Sequence, residues 1–211
     1  MNAGASIRCY GDRALLVEVA DNAAAQVVAR RAREAWNAAL EEVILGHRTV
    51  VLVWHEHPPE AAAVISRLEA AAAGDAPRAG SRRPDAGAVT IQVRYDGPDL
   101  EAIAEAVGVT VGTVIERHSA PQYTVAFTGF MPGFPYLVGG DPTLDIPRLA
   151  TPRAAVPAGT VAVAAGYTGI YPRASPGGWN LLGQTDERLF DLNRNPPSLL
   201  TPGTRVRFAP R

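Results

Sequence analysis

Residues 147–179 read PRLATPRAAVPAGTVAVAAGYTGIYPRASPGGW. Prolines recur here too often for a helix, because each removes a backbone donor and clashes with the preceding turn. What survives between the prolines and glycines are short apolar runs such as Thr160–Ala164, the pattern of antiparallel strands joined by tight turns. Moving outward, Tyr123–Phe127, Arg188–Leu192 and Arg205–Phe208 have the same character. Together they indicate a closed or sandwiched β domain.

Upstream the composition changes: 13 of the 18 prolines lie from Pro121 onward, whereas the first 75 residues are rich in alanine. Ile7–Tyr10 and Ala14–Val19 flank a Gly11-Asp12 turn and read as a hairpin. Asp21 and Asn22 can cap a helix whose Val27, Val28, Ala35, Trp36 and Leu40 recur near the 3.6 period. Thr49–Trp54 reads as a buried strand, and Pro58-Pro59 introduces a second helix over about Glu60–Ala73. From Gly74 to Gly87 no large apolar residue occurs, as in an exposed linker. Beyond it, Val89–Tyr95 is a strand, and Leu100–Val107 and Val111–Arg117 are helices capped by Asp99 and Thr110. The expected fold class is α+β: a small N-terminal α/β sandwich over residues 1–80 and a β domain, closed or sandwiched, over 81–211.

The 211 residues carry a net charge of −1, with 47% hydrophobic and 19% charged residues, so neither disorder nor a nucleic-acid or anionic-membrane surface is indicated. All 20 basic residues are arginine. This chain therefore supplies no P-loop lysine, Schiff-base lysine or Ser-Lys amidase centre. One cysteine, Cys9, allows no internal disulfide. The start, MNAGASIRCYGDR, shows no basic stretch leading into a long apolar run, so the expected location is cytoplasmic.

Three passages can carry chemistry. Phe127–Leu137, with Phe130, Phe134 and Tyr136 among glycines and prolines, forms either a rigid barrel corner or the wall of a ligand or subunit site. Arg148 and Arg153 lie in an extended chain, either as a pair of forks for a carboxylate or phosphate or as structural arginines. In Gly166–Trp179, Ser175-Pro176-Gly177-Gly178 fits a type II turn whose amides can form an anion nest, and Thr168 and Tyr171 add hydroxyls. His118 is the candidate general base, against the alternative of complementing a helix dipole. His55 and His57 alternate on one strand face without a third ligand, so no metal site is expected.

GFMPGFPYL (129–137), IPRLATPRAAVPAGTVAVAAGYTGIYP (146–172) and SPGGWNLLGQT (175–185), followed by TPGTRVRF (201–208), resemble the B subunit family of 5-oxoprolinases. That family is also described as allophanate hydrolase subunit 1 and as KipI-type kinase inhibitors, and GHRTVVLVW near the N-terminus fits as well. The resemblance implies a cyclophilin-like barrel, and a heteromeric hydrolase completed by two further subunits, a homologous C-type (KipA-type) one and an A-type one. It also implies ATP-dependent opening of 5-oxo-L-proline to L-glutamate, with ATP and Mg shared among subunits. It places His118, Phe130, Phe134, Tyr136, Arg148, Arg153, Gly169, Tyr171, Ser175, Gly177, Gly178 and Trp179 around a cleft between subunits.

The expected catalytic set is then His118 as proton shuttle, Tyr171 orienting the carbonyl and Arg148 binding charge. Arg153, Phe130, Phe134, Tyr136, Thr168, Gly169, Ser175, Gly177, Gly178 and Trp179 form the substrate-binding set. Tyr167 stands where the family pattern has Gln. Two other readings carry different requirements. A histidine-kinase inhibitor needs an exposed patch of Phe130, Met131 and Phe134. An allophanate hydrolase or urea carboxylase role needs its amidase or biotin-bearing lysine from another chain.

Overall fold

A computed structural model describes residues 6–74 and 87–211. The chain divides into two compact units, Met1–Asp85 and Ala86–Arg211. Apart from its two terminal glycines, the expected linker lies outside the described residues.

In the first unit, β1 (Ser6–Cys9) and β2 (Ala14–Glu18) form the expected antiparallel hairpin. Helix α1 (Asn22–Trp36) follows, with the Asp21 carboxylate accepting from the Ala24 N–H. Its buried stripe is Ala25, Val28, Ala29 and Ala32, so small residues bring it close to the sheet. Leu40 is not helical: it opens β3 (Leu40–Leu45), which pairs with β4 (Thr49–Trp54). Helix α2 (Ala61–Gly74) buries Val64 and Leu68. The sheet order is β1-β2-β4-β3. His55 and His57 lie beyond the end of β4 and share no strand face, and the His57 ring contacts the Asp12 carbonyl instead.

The second unit begins with β5 (Val89–Val93), α3 (Leu100–Val107) and α4 (Val111–Ser119). Strands β6 (Tyr123–Thr128), β7 (Pro135–Val138), β8 (Arg153–Val156), β9 (Thr160–Ala164) and β10 (Tyr167–Ile170) come next. They are followed by β11 (Ser175–Gly177), β12 (Asn180–Gln184) and β13 (Arg205–Pro210). Seven of these form one sheet in the order β12-β9-β10-β7-β6-β13-β5. Its ends meet where Arg94 and Gln184 exchange backbone hydrogen bonds of 2.8 and 2.9 Å, closing the barrel. Closure removes the exposed edges that an open sheet would present.

Ile91, Val125, Leu137, Val161, Ile170, Val206 and Phe208 form the central cluster. A second cluster, containing Met131, Phe134, Tyr171 and Trp179, packs on Ala162 and Ala164 of β9. With both faces covered, all five β9 residues are buried. Two expectations fail here. Arg188–Leu192 forms no strand: besides the isolated Phe190–Ser198 bridge, its Leu189 carbonyl accepts from the Leu199 N–H and its Asp191 N–H donates to the Pro197 carbonyl. Ser175-Pro176-Gly177 is a strand paired with β8 through a bulge, and neither Gly177 nor Gly178 takes the positive φ that a type II turn requires.

Candidate functional site

Phe134 is the keystone of a concave aromatic wall. It meets Tyr136, Tyr171 and Trp179 edge to face, with centroids at 5.1, 5.2 and 5.5 Å. Each such pair contributes about 0.5–1.5 kcal/mol beyond area burial. Gly169 lies beneath them, where a Cβ would stand 2.7 Å from Phe134 and 2.9 Å from Trp179. At Gly177 a Cβ would collide with the Tyr171 hydroxyl. Both glycines are required by close approach.

These rings, with Pro152, Pro176, Gly177, Gly178 and Arg148, line a pocket of about 190 Å³. Phe130 stands at its rim, 60% exposed and with φ of +67°, a conformation unfavourable for a residue with a side chain. It remains edge-on to Phe134 at 5.4 Å.

Arg148 brings the charge. Its guanidinium lies 5.9 Å from the Trp179 ring centroid, and no carboxylate among the described residues pairs with it. Hydrogen bonds on either side fix its loop. The buried Asn180 amide donates to the Pro147 carbonyl at 2.9 Å, and the Leu149 N–H donates to the Gly178 carbonyl at 2.8 Å. Burial raises the pKa of the Tyr171 hydroxyl, opposed by a hydrogen bond with the Trp179 backbone and by the Arg148 charge. Burial likewise raises Tyr136, again opposed by Arg148. Near neutral pH both phenols are protonated and can donate hydrogen bonds.

The pocket thus unites Phe130, Phe134, Tyr136, Arg148, Tyr171, Gly177, Gly178 and Trp179 from the expected set. Arg153 is committed elsewhere: its guanidinium donates to Asp99 Oδ1 at 2.5 Å and to the Trp179 carbonyl at 3.4 Å. Asp99 Oδ2 accepts from the Leu181 N–H at 2.7 Å, so this carboxylate makes no side-chain cap on α3. Through Asp99, the residue before α3, Arg153 of β8 is linked to Leu181 of β12. Ser175 contributes a buried hydroxyl without a hydrogen-bond partner, and the strand geometry of β11 replaces the expected anion nest.

His118 and Thr168 do not join the pocket. Side chains alternate along β10, so Gly169 faces the rings while Thr168 points to the opposite side. There its hydroxyl lies 3.3 Å from His118 Nε2, and the Tyr95 hydroxyl lies 2.7 Å from Nδ1. The imidazole is 0% exposed and packs on Phe208 at 4.6 Å. Burial lowers its pKa to about 3. Burial disfavours the charged imidazole, and the expected proton-shuttle position is enclosed. Asp99 and Asn180 support the site without standing out in the sequence as site residues. The signal for Asn180 is a polar amide opening an apolar strand, which must find partners when buried.

The patch required for kinase docking is not presented either. Phe130 is exposed, but Met131 and Phe134 are only 9% and 1% exposed.

The barrel and its flanking helices define a carboxyltransferase-domain-like fold. The chain belongs to the family described as carboxyltransferase domain, subdomain C and D, which matches residues 5–200. It is similar to the 5-oxoprolinase B subunit of Escherichia coli O157:H7, with 47% identity over 131 residues, 61% of this chain and 60% of that protein. The Haemophilus influenzae protein of the same name is 49% identical over 112 residues, 53% of each chain. The matched stretch spans less than two thirds of either relative. Among solved structures, TTHA0988 superposes with a TM-score of 0.77 at 34% identity, covering 94% of this chain and 40% of that one. The K. lactis urea amidolyase shares the fold, with a TM-score of 0.69 over 98% of this chain and 15% of its own, at 18% identity. Among the described residues no helix is long and apolar enough to cross a membrane.

Proposed function

We propose that this chain is the substrate-holding B-type subunit of an ATP-dependent 5-oxoprolinase, acting with two partners, a homologous C-type one and an A-type one. The observation that carries the reading is the aromatic pocket with one unpaired guanidinium, in a chain similar to named 5-oxoprolinase B subunits. In this reading Arg148 pairs with the substrate carboxylate, and Phe134, Tyr136 and Trp179 enclose the lactam ring and exclude water. The Tyr171 hydroxyl orients the lactam carbonyl.

ATP does not fit the pocket. A volume of about 190 Å³ is below the roughly 300–1,000 Å³ of clefts that enclose drug-sized ligands, and Arg153 is already paired with Asp99. We assign ATP and Mg to the partner subunits. The test is ATP-dependent release of glutamate from 5-oxoproline by the three-subunit mixture. Activity should vanish when this chain alone is omitted, and turnover unaffected by its omission would exclude the reading.

A further inference from the structure

We propose that Phe127 and Tyr167, which lie outside the pocket lining, are positioning residues for Tyr136 and fix the direction in which its phenol meets the pocket. Neighbours on β7 face opposite ways: Leu137 belongs to the central cluster, and Tyr136 turns outward to the pocket. Strand β6 pairs Thr124 with Val138 and Val125 with Leu137, so a regular ladder would set Ala126 opposite Tyr136. Instead the register shifts between Val125 and Phe127, and Phe127 takes that place. A bulge of one residue re-aims the side chain that follows it. Here it brings Phe127 to the outward face while Val125 stays in the core.

The Phe127 ring stacks on Tyr136, with centroids 4.3 Å apart and planes 17° from parallel. On the other side of β7, the residue opposite Tyr136 is Gly169, which has no side chain to brace the ring. Tyr167 supplies the brace from two residues away on the same face of β10. It meets Tyr136 edge on at 5.5 Å and Phe127 at 5.7 Å. Phe134 and Trp179 add edge contacts to Tyr136 from within the pocket, at 5.1 and 5.7 Å. Two of the four rings holding Tyr136 therefore come from outside the pocket lining.

The Tyr136 phenol stands where the Arg148 charge acts on it. In the oxoprolinase reading, on which the kinetic half of the test rests, a phenol held in advance meets the substrate without losing further freedom of its own. The position itself follows from the ring geometry and from the bulge, whatever the substrate.

The test combines NMR of tyrosine rings in the full chain with turnover of 5-oxoproline by the three-subunit mixture. Phe127→Leu keeps apolar volume and removes the stack, whereas Phe127→Tyr keeps the ring. The Tyr136 signals, identified by their loss in Tyr136→Phe, should report ring flips about three- to tenfold faster in Phe127→Leu, with Phe127→Tyr close to the parent. The value of kcat/KM should fall by a similar factor in Phe127→Leu and recover in Phe127→Tyr. Tyr167→Leu should repeat both losses, and Tyr167→Phe neither. In a Tyr136→Phe background, Phe127→Leu should have no further effect on turnover, because it acts through the phenol. Flip rates unchanged in both leucine variants overturn the positioning role. So does a Tyr136→Phe chain as active as the parent, or a Phe127→Leu loss of equal size in both backgrounds. Faster flips in a chain whose parent mixture does not turn over 5-oxoproline support the positioning role and exclude the oxoprolinase reading.

Discussion

Phe130 combines exposure with a left-handed backbone, two features that packing alone does not reward. Glycine occupies that region without the clash that a Cβ introduces, a difference of about 1–2 kcal/mol. Phe130→Gly should therefore be more stable than Phe130→Ala by about 1 kcal/mol in urea denaturation. Both variants should bind the pocket ligand more weakly than the parent. His118 makes a separate prediction. Its folded-state pKa of about 3 lies below the ordinary value near 6.5, so between those values the unfolded chain binds a proton that the folded chain does not. Stability contributed by the neutral imidazole is present above the upper value and is lost as pH falls. Moving from pH 7.5 to pH 5 should remove about 2 kcal/mol through this residue. His118→Gln should show a correspondingly shallower pH dependence of unfolding free energy.

Elements, rather than single side chains, explain which site residues are legible in the sequence. Proline and glycine mark the β-rich half, and the aromatic, Arg148 and SPGG passages line one pocket: β7 pairs with β10, β11 pairs with β8, and the Leu149 N–H donates to the Gly178 carbonyl. Motif content reveals the residues but not their facing. Thr168 and Gly169 are neighbours that strand alternation sends in opposite directions. Arg153 resembles Arg148 in local sequence, yet its position at the start of β8 brings it to Asp99, a partner 54 residues away. Edge strands such as β3 and short strands such as β11 escape sequence reading because their identity depends on pairing partners rather than periodicity. The Asp99–Arg153 tie has a measurable role. Asp99→Asn should destabilise the protein by about 1–3 kcal/mol, leaving a half-buried guanidinium unpaired. Adding Arg153→Met should restore part of that loss, a coupling that a double-mutant cycle measures.

At the scale of the molecule, the closed barrel provides a rigid platform for the aromatic pocket. The α+β class and the barrel are legible because composition divides the chain so sharply. The commitment of Arg153 and the burial of His118 are not, since both depend on contacts across the fold. With one unpaired arginine and a ring-sized volume, the pocket suits a small carboxylate. The chain contains three tryptophans, of which Trp179 lines the pocket while Trp36 and Trp54 belong to the first unit. Titrating nitrogen-15-labelled full-length protein with 5-oxoproline therefore tests occupancy of the pocket directly, with the indole signals assigned by single Trp→Phe substitutions. A saturable shift of the Trp179 indole N–H, with the other two unmoved, is the expected result. An unmoved Trp179 signal at saturating ligand would contradict binding at this site.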